Sequence, residues 1–115
     1  MPHCVIEYSK PLRKKVNIKQ LTDRLHHTLN KSGLFAIENI KTRAIGYDDY
    51  VIGDSEGNQD FVHVRIYILK GKSVQVQKTL SQQIWRSVKS EIPFIESLTV
   101  DVREMDKEAY TKYLD

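Results

Sequence analysis

The chain has 115 residues, of which 40% are hydrophobic and 29% charged, values that suit one soluble globular domain spanning 1–115 and exclude a disordered chain. A single cysteine, Cys4, excludes an internal disulfide, so a reducing cytoplasm is the expected location. The formal net charge of +3 is mildly basic; it tolerates nucleic acid without requiring it and equally suits a small anionic molecule. No apolar run reaches the roughly 20 residues that a bilayer-spanning helix needs, so no membrane partner is expected. The first residues read as a strand rather than a secretory signal.

Residues 3–9 alternate, with Cys4, Ile6 and Tyr8 on one side and His3, Val5 and Glu7 on the other, the period of a strand. A basic connector, Lys10 to Val16, follows. Asn17 is placed to cap a helix over about 17–32, with Gln20 in the position of a capping box. Ile18, Leu21, Leu25 and Leu29 form its apolar face, and Gly33 ends it.

A second strand is expected near 35–46, with Lys41, Arg43 and Ile45 on one face and Ala36, Ile40 and Ala44 on the other. Tyr50 to Ile52 reads as a short extended piece, and Gly53 to Asp60 as an exposed, mobile polar loop. FVHVRIYIL, residues 61–69, is the strongest strand signal. Gly71 turns the chain, and Ser73 is placed to cap a second helix carrying Val76, Leu80, Ile84 and Val88 as its stripe. Trp85 lies beside that stripe, and Ile92-Pro93 closes the helix. Leu98, Val100 and Val102 mark a last strand, and Lys107 to Leu114 is expected to form one or two helical turns.

The element order is β-α-β, a loop, then β-α-β, a structural repeat spaced by roughly 60 residues. The fold class is therefore α+β: two β-α-β units forming one sheet, with two helices on one face. The other sheet face mixes polar groups with Ile45, Phe61 and Tyr67, a pattern that often packs against another subunit.

The opening Met1-Pro2-His3-Cys4-Val5-Ile6-Glu7-Tyr8-Ser9 resembles the start of the 5-carboxymethyl-2-hydroxymuconate isomerases, a family of the tautomerase superfamily. Ser32-Gly33-Leu34-Phe35, Lys41-Thr42-Arg43, and Asp60-Phe61-Val62-His63-Val64 followed by Gly71-Lys72-Ser73 fit the same family in order. The resemblance implies a tautomerase-like fold assembled as a homotrimer, with active sites near subunit boundaries and no cofactor. It implies a reaction in aromatic-acid catabolism that moves a proton within an unsaturated 2-hydroxy or 2-oxo di- or tricarboxylate. Pro2, made N-terminal by removal of Met1, is implied as the catalytic base, and Lys41, Arg43 and Lys72 as substrate-binding residues. The family pattern favours arginine where Lys41 and Lys72 stand. Lysine keeps the charge but loses the two-pronged grip on a carboxylate, which bears on the substrate more than on the reaction.

The chemistry fits those residue types. A proton shuttle works best with a pKa near 7. A proline amine in water is too basic, and burial and nearby cations both lower it. The same cations would hold carboxylates and steady a developing enolate.

Outside that set, His3 is placed to shape the pocket. His63 reads as a structural histidine and Cys4 as a core residue. His26 and His27 diverge by about 100° on a helix and cannot share a metal, and no zinc-ligand spacing appears. Two other readings are another tautomerase superfamily activity and a ferredoxin-like binding module of the same β-α-β-β-α-β order. The second lacks the basic-Gly-aromatic opening of an RNA-binding strand.

Overall fold

The computed structural model describes residues 1–54, 57 and 59–113. Its elements follow in the order β1 (His3–Ser9), α1 (Ile18–Lys31), β2 (Lys41–Tyr47), β3 (Phe61–Leu69), α2 (Val74–Glu91) and β4 (Ser97–Met105). The four strands form one sheet in the order β2-β1-β3-β4. β1 runs parallel to β2 and antiparallel to β3, and β3 runs parallel to β4. Each half is thus a strand, a helix and a parallel strand, joined at the centre by β1 and β3.

Alternation decides which sheet face is covered. Cys4, Ile6 and Tyr8 of β1 and Val62, Val64, Ile66 and Ile68 of β3 are buried beneath Leu21, Leu25 and Leu29 of α1 and Leu80, Ile84 and Val88 of α2. Both helices start as the sequence implies. Asn17 Oδ1 accepts from the Gln20 amide at 3.0 Å, and Ser73 Oγ accepts from the Val76 amide at 3.2 Å. Gly33 ends α1 at φ +75°, a left-handed conformation that side chains rarely adopt. The helices are tied laterally by Arg24 Nη1 to Glu91 at 2.9 Å and Thr28 Oγ1 to Ser87 Oγ at 2.8 Å.

The expected second strand is shorter at its start. Ile37–Asn39 forms a 3-10 turn, and β2 begins only at Lys41, whose amide donates to Pro2 O at 3.0 Å. A strand needs a partner for its backbone groups, and β1 begins at His3; residues 35–40 lie past its end. Tyr50 to Ile52 joins no strand, and residues 107–109 make a turn where helical turns were expected. Of the polar loop, Ser55, Glu56 and Asn58 lie outside the described residues, as does the end of the tail, Leu114 and Asp115. Trp85 remains 42% exposed, so it contributes only part of its surface to packing.

At the C-terminal end of β1 a polar cluster is built into the core. Asp60 is 2% exposed and accepts from Ser9 Oγ at 2.7 Å and from Lys15 Nζ at 2.7 Å. Ser9 Oγ in turn accepts from the Phe61 amide at 3.1 Å, fastening the start of β3 to the end of β1. Replacing Asp60 by Ala strips the buried Ser9 hydroxyl of its acceptor. Chemical denaturation should show a loss of about 1–3 kcal/mol, the usual cost of an unsatisfied buried group. Lys15→Ala leaves the buried Asp60 carboxylate without its counter-charge, so the same measurement should show a loss of stability there too.

Candidate active site

The strand directions bring four chain segments to one end of the sheet. These are the start of β1, the start of β2, the end of β3 and the end of β4 with the segment beyond it. A pocket of about 230 Å³ lies there, lined by Met1, Leu34, Phe35, Ala36, Asn39, Ile68, Leu69, Lys72 and Lys112. Met1 is half-buried at its wall, and Pro2, the next residue, is buried and does not line it.

The N-terminal amine of Met1 donates to the carbonyl of Asn39 at 3.1 Å. Its pKa is held below the ordinary value, first by desolvation and then by the positive charges of Lys41 and Lys112. Lys41 Nζ also approaches the Asn39 carbonyl, at 3.4 Å. One backbone oxygen therefore gathers the chain's terminal amine and the first side chain of β2. Across the pocket, Lys72 Nζ sits 5.8 Å from the centroid of the Phe35 ring, a cation–π distance that orients the ammonium without neutralising it.

Arg43 stands apart from the pocket lining. It lies two residues along β2 from Lys41, on the same open face of the sheet, and its Nη1 is 3.1 Å from His3 Nδ1. His3 Nε2 is 2.9 Å from the hydroxyl of Tyr110. Desolvation, then the charges of Arg43, Lys41 and the terminal amine, hold the His3 pKa below its ordinary value. Of the residues singled out in the sequence, Pro2, Lys41 and Lys72 thus converge on one end of the sheet, and Arg43 is linked to that end through His3.

Relatives of this architecture are known. The family model described as 5-carboxymethyl-2-hydroxymuconate isomerase matches residues 2–113. The chain belongs to that family. It is 23% identical over 90 residues to the 5-carboxymethyl-2-hydroxymuconate Delta-isomerase of Escherichia coli, covering 78% of this chain and 71% of that one. A 5-carboxymethyl-2-hydroxymuconate isomerase structure from Deinococcus radiodurans R1 superposes with a TM-score of 0.86 at 25% identity, covering 99% of this chain and 90% of that one. The fused wild-type 4-OT symmetric trimer shares the fold, with a TM-score of 0.72 at 14% identity over 96% of this chain and 90% of that one. The protein is an isomerase with the tautomerase fold.

Within this isomerase, sequence reasoning missed Asn39, Tyr110 and Lys112. Asn39 acts through its backbone carbonyl, which no side-chain pattern announces. Tyr110 and Lys112 sit in a tail without periodicity, and only the exit of β4 beside the N-terminus brings them to the site. The other histidines fall elsewhere: His63 Nδ1 is 2.6 Å from Thr99 Oγ1, as a structural histidine would be, and His26 Nδ1 is 2.8 Å from Thr42 Oγ1. Among the described residues no group of His, Cys, Asp and Glu is arranged to hold a metal ion. A surface groove of about 1070 Å³ lies between Arg13–Lys19 and the edge of β2; none of Pro2, Lys41, Arg43 and Lys72 lines it.

Cys4, two residues from Pro2, faces the core, and burial pushes its thiol up to about 12. It holds no thiolate at neutral pH. Iodoacetamide should leave Cys4 unmodified in the native isomerase and alkylate it once denaturant is added, as intact mass will show.

Proposed function

We propose that this isomerase is a tautomerase whose general base is the amine of Pro2, freed by removal of Met1. The observation that carries this reading is the terminal amine itself: it is partly desolvated, stands among cations, and lies at the wall of the pocket. Removing Met1 moves the amine one residue inward, to a position that is already buried. Desolvation and the charge of Lys41 then act on a secondary amine and favour its neutral, proton-accepting form.

The substrate class that suits this setting is an unsaturated 2-hydroxy or 2-oxo di- or tricarboxylate of the 5-carboxymethyl-2-hydroxymuconate kind, met in aromatic-acid catabolism. Lys41, Arg43 and Lys72 bind its carboxylates, and Lys112, which lines the pocket as Lys72 does, adds a further positive charge. The neutral amine accepts a proton from the substrate's enol, electrons shift along the conjugated system, and the ammonium returns the proton to a carbon. The product has the substrate's atoms and oxidation state, so the step needs no cofactor. The cations stabilise the enolate as its charge develops.

The name of the E. coli relative supports this substrate class, and the family resemblance of Pro2 and its neighbours supports the base. The symmetric trimer with the same fold supports assembly as a homotrimer through the uncovered sheet face, where Ile45 is 51% and Tyr47 37% exposed. The protein acts in the cytoplasm on a small anion, with nucleic acid no part of its work. Among the described residues no helix is long and apolar enough to cross a membrane.

Intact mass of the purified protein should lack Met1, and ketonisation of phenylenolpyruvate should fall by about 10²–10⁴ in Pro2→Ala, the range for loss of a general base. Equal rates in the two proteins would remove proline from the mechanism. The rate should rise with pH as the amine loses its proton. Lys41→Ala removes a charge that disfavours the ammonium, so the acidic limb of kcat/KM should move to higher pH. A limb that stays in place or moves down would separate Lys41 from the base.

A further inference from the structure

The histidine that follows Pro2 makes two contacts whose chemistry is more restrictive than their distances. His3 Nδ1 lies 3.1 Å from Arg43 Nη1. A guanidinium has only N–H donors, so this contact is a hydrogen bond only if Nδ1 offers a lone pair. The proton of the neutral ring is then on Nε2, which stands 2.9 Å from the Tyr110 hydroxyl and donates to it. The two rings meet edge-on, with centroids 6.0 Å apart at 68°. Burial and the nearby charges of Arg43, Lys41 and the terminal amine work in the same direction, keeping the ring neutral.

We propose that His3 is a positioning residue: as its Nε2–H tautomer it holds the Arg43 guanidinium by Nδ1 and the C-terminal segment at Tyr110 by Nε2, joining the carboxylate-binding strand to the tail whose Lys112 lines the pocket. The inference rests on the reading of Arg43 as a carboxylate binder. Arg43 is exposed and two residues further from the N-terminus of its strand than Lys41, so without a hold its long side chain samples many rotamers. The imidazole limits that freedom before substrate arrives, and leaves the remaining guanidinium donors for a carboxylate. The same ring fixes Tyr110, two residues before Lys112, which lines the pocket. His3 does not touch the reacting atoms; its effect falls on binding.

The test is a substitution series assayed with an unsaturated 2-hydroxy dicarboxylate. Asn places an Oδ1 acceptor near the site of Nδ1 but has no group reaching Tyr110; Ala has neither. His3→Ala should raise KM about tenfold with kcat within about twofold, the tenfold step corresponding to one well-placed polar contact. His3→Asn should recover most of the KM, and Tyr110→Phe, which still leaves Nδ1 on Arg43, should raise KM less than His3→Ala. A His3→Asn KM as poor as that of His3→Ala, an unchanged KM in His3→Ala, or a fall in kcat alone would each overturn the proposal. Pro2→Ala tests the base separately: activity surviving there refutes the proline mechanism, while the KM pattern of the His3 series still decides the positioning role. The ring itself gives a readout free of activity. Nitrogen-15 NMR of the wild-type protein should show a pyridine-like, unprotonated Nδ1 and a protonated Nε2; a proton on Nδ1 would overturn the assignment.

Discussion

The site depends on the register of one strand pair. β1 lies parallel to β2 with His3 opposite Lys41 and Val5 opposite Arg43, and the Lys41 amide closes onto Pro2 O before the ladder proper begins. A shift of one residue would turn Lys41 and Arg43 into the core and bring Thr42 and Ala44 out, since side chains alternate with a period of two. The buried face of β1 opposes that shift, because Cys4, Ile6 and Tyr8 are fully enclosed. Gly46 opposes it locally: a Cβ there would stand 2.9 Å from Tyr8 Cζ, so the buried ring accepts only glycine beside it. Core packing at one end of the pair thereby sets which charges meet the N-terminus at the other.

The two ends of β1 have opposite electrostatic characters. At Ser9, the buried carboxylate of Asp60 is fully engaged, with Ser9 and Lys15 as its donors, and the cluster fastens β1 to β3. At Pro2, among the described residues, the gathered positive groups rest on neutral partners: the terminal amine and Lys41 share one backbone carbonyl, Lys72 rests on an aromatic face, and Arg43 meets a neutral imidazole. Carbonyl, ring and imidazole orient cations without cancelling their charge. Such an arrangement raises the free energy of the empty site and lowers that of a bound polyanion, and it depresses the affinity of any nearby amine for a proton. A tautomerase that uses an amine as base and carboxylates as handles gains on both counts.

The relation between α1 and β2 has a further consequence. α1 packs along β2, yet Thr42, Ala44 and Gly46 remain only half-buried, and β2 is an edge strand. His26 of α1 reaches across to Thr42, the one side-chain hydrogen bond linking α1 and β2 among the described residues. On the opposite sheet face, Tyr47 donates to Glu7 at 2.7 Å and packs with Phe61, whose ring also meets Tyr50. β2 is thus held from both faces by polar bridges and aromatic contacts rather than by a continuous apolar layer, which keeps its charged residues on the surface yet in fixed register.

Much of this was legible in the amino-acid sequence, for reasons that are local. Period-two alternation marked β1, β3 and β4; the stripes Leu21-Leu25-Leu29 and Leu80-Ile84-Val88, with Asn17 and Ser73 as caps, marked both helices. Those patterns follow from the geometry of a strand or a helix and from burial of one face, and they need no knowledge of neighbours. The family-like stretches around Pro2, Lys41, Arg43 and Lys72 likewise pointed to an isomerase. What required the tertiary structure was every feature set by contact between distant segments: β2 starting at Lys41 because its partner starts at His3, the Asn39 carbonyl receiving the terminal amine, and Tyr110 and Lys112 reaching the site from a tail with no periodic signal. Backbone carbonyls and aperiodic tails carry no sequence code for their partners. Their roles arise only when the sheet's parallel and antiparallel pairings carry them to the same end of the molecule.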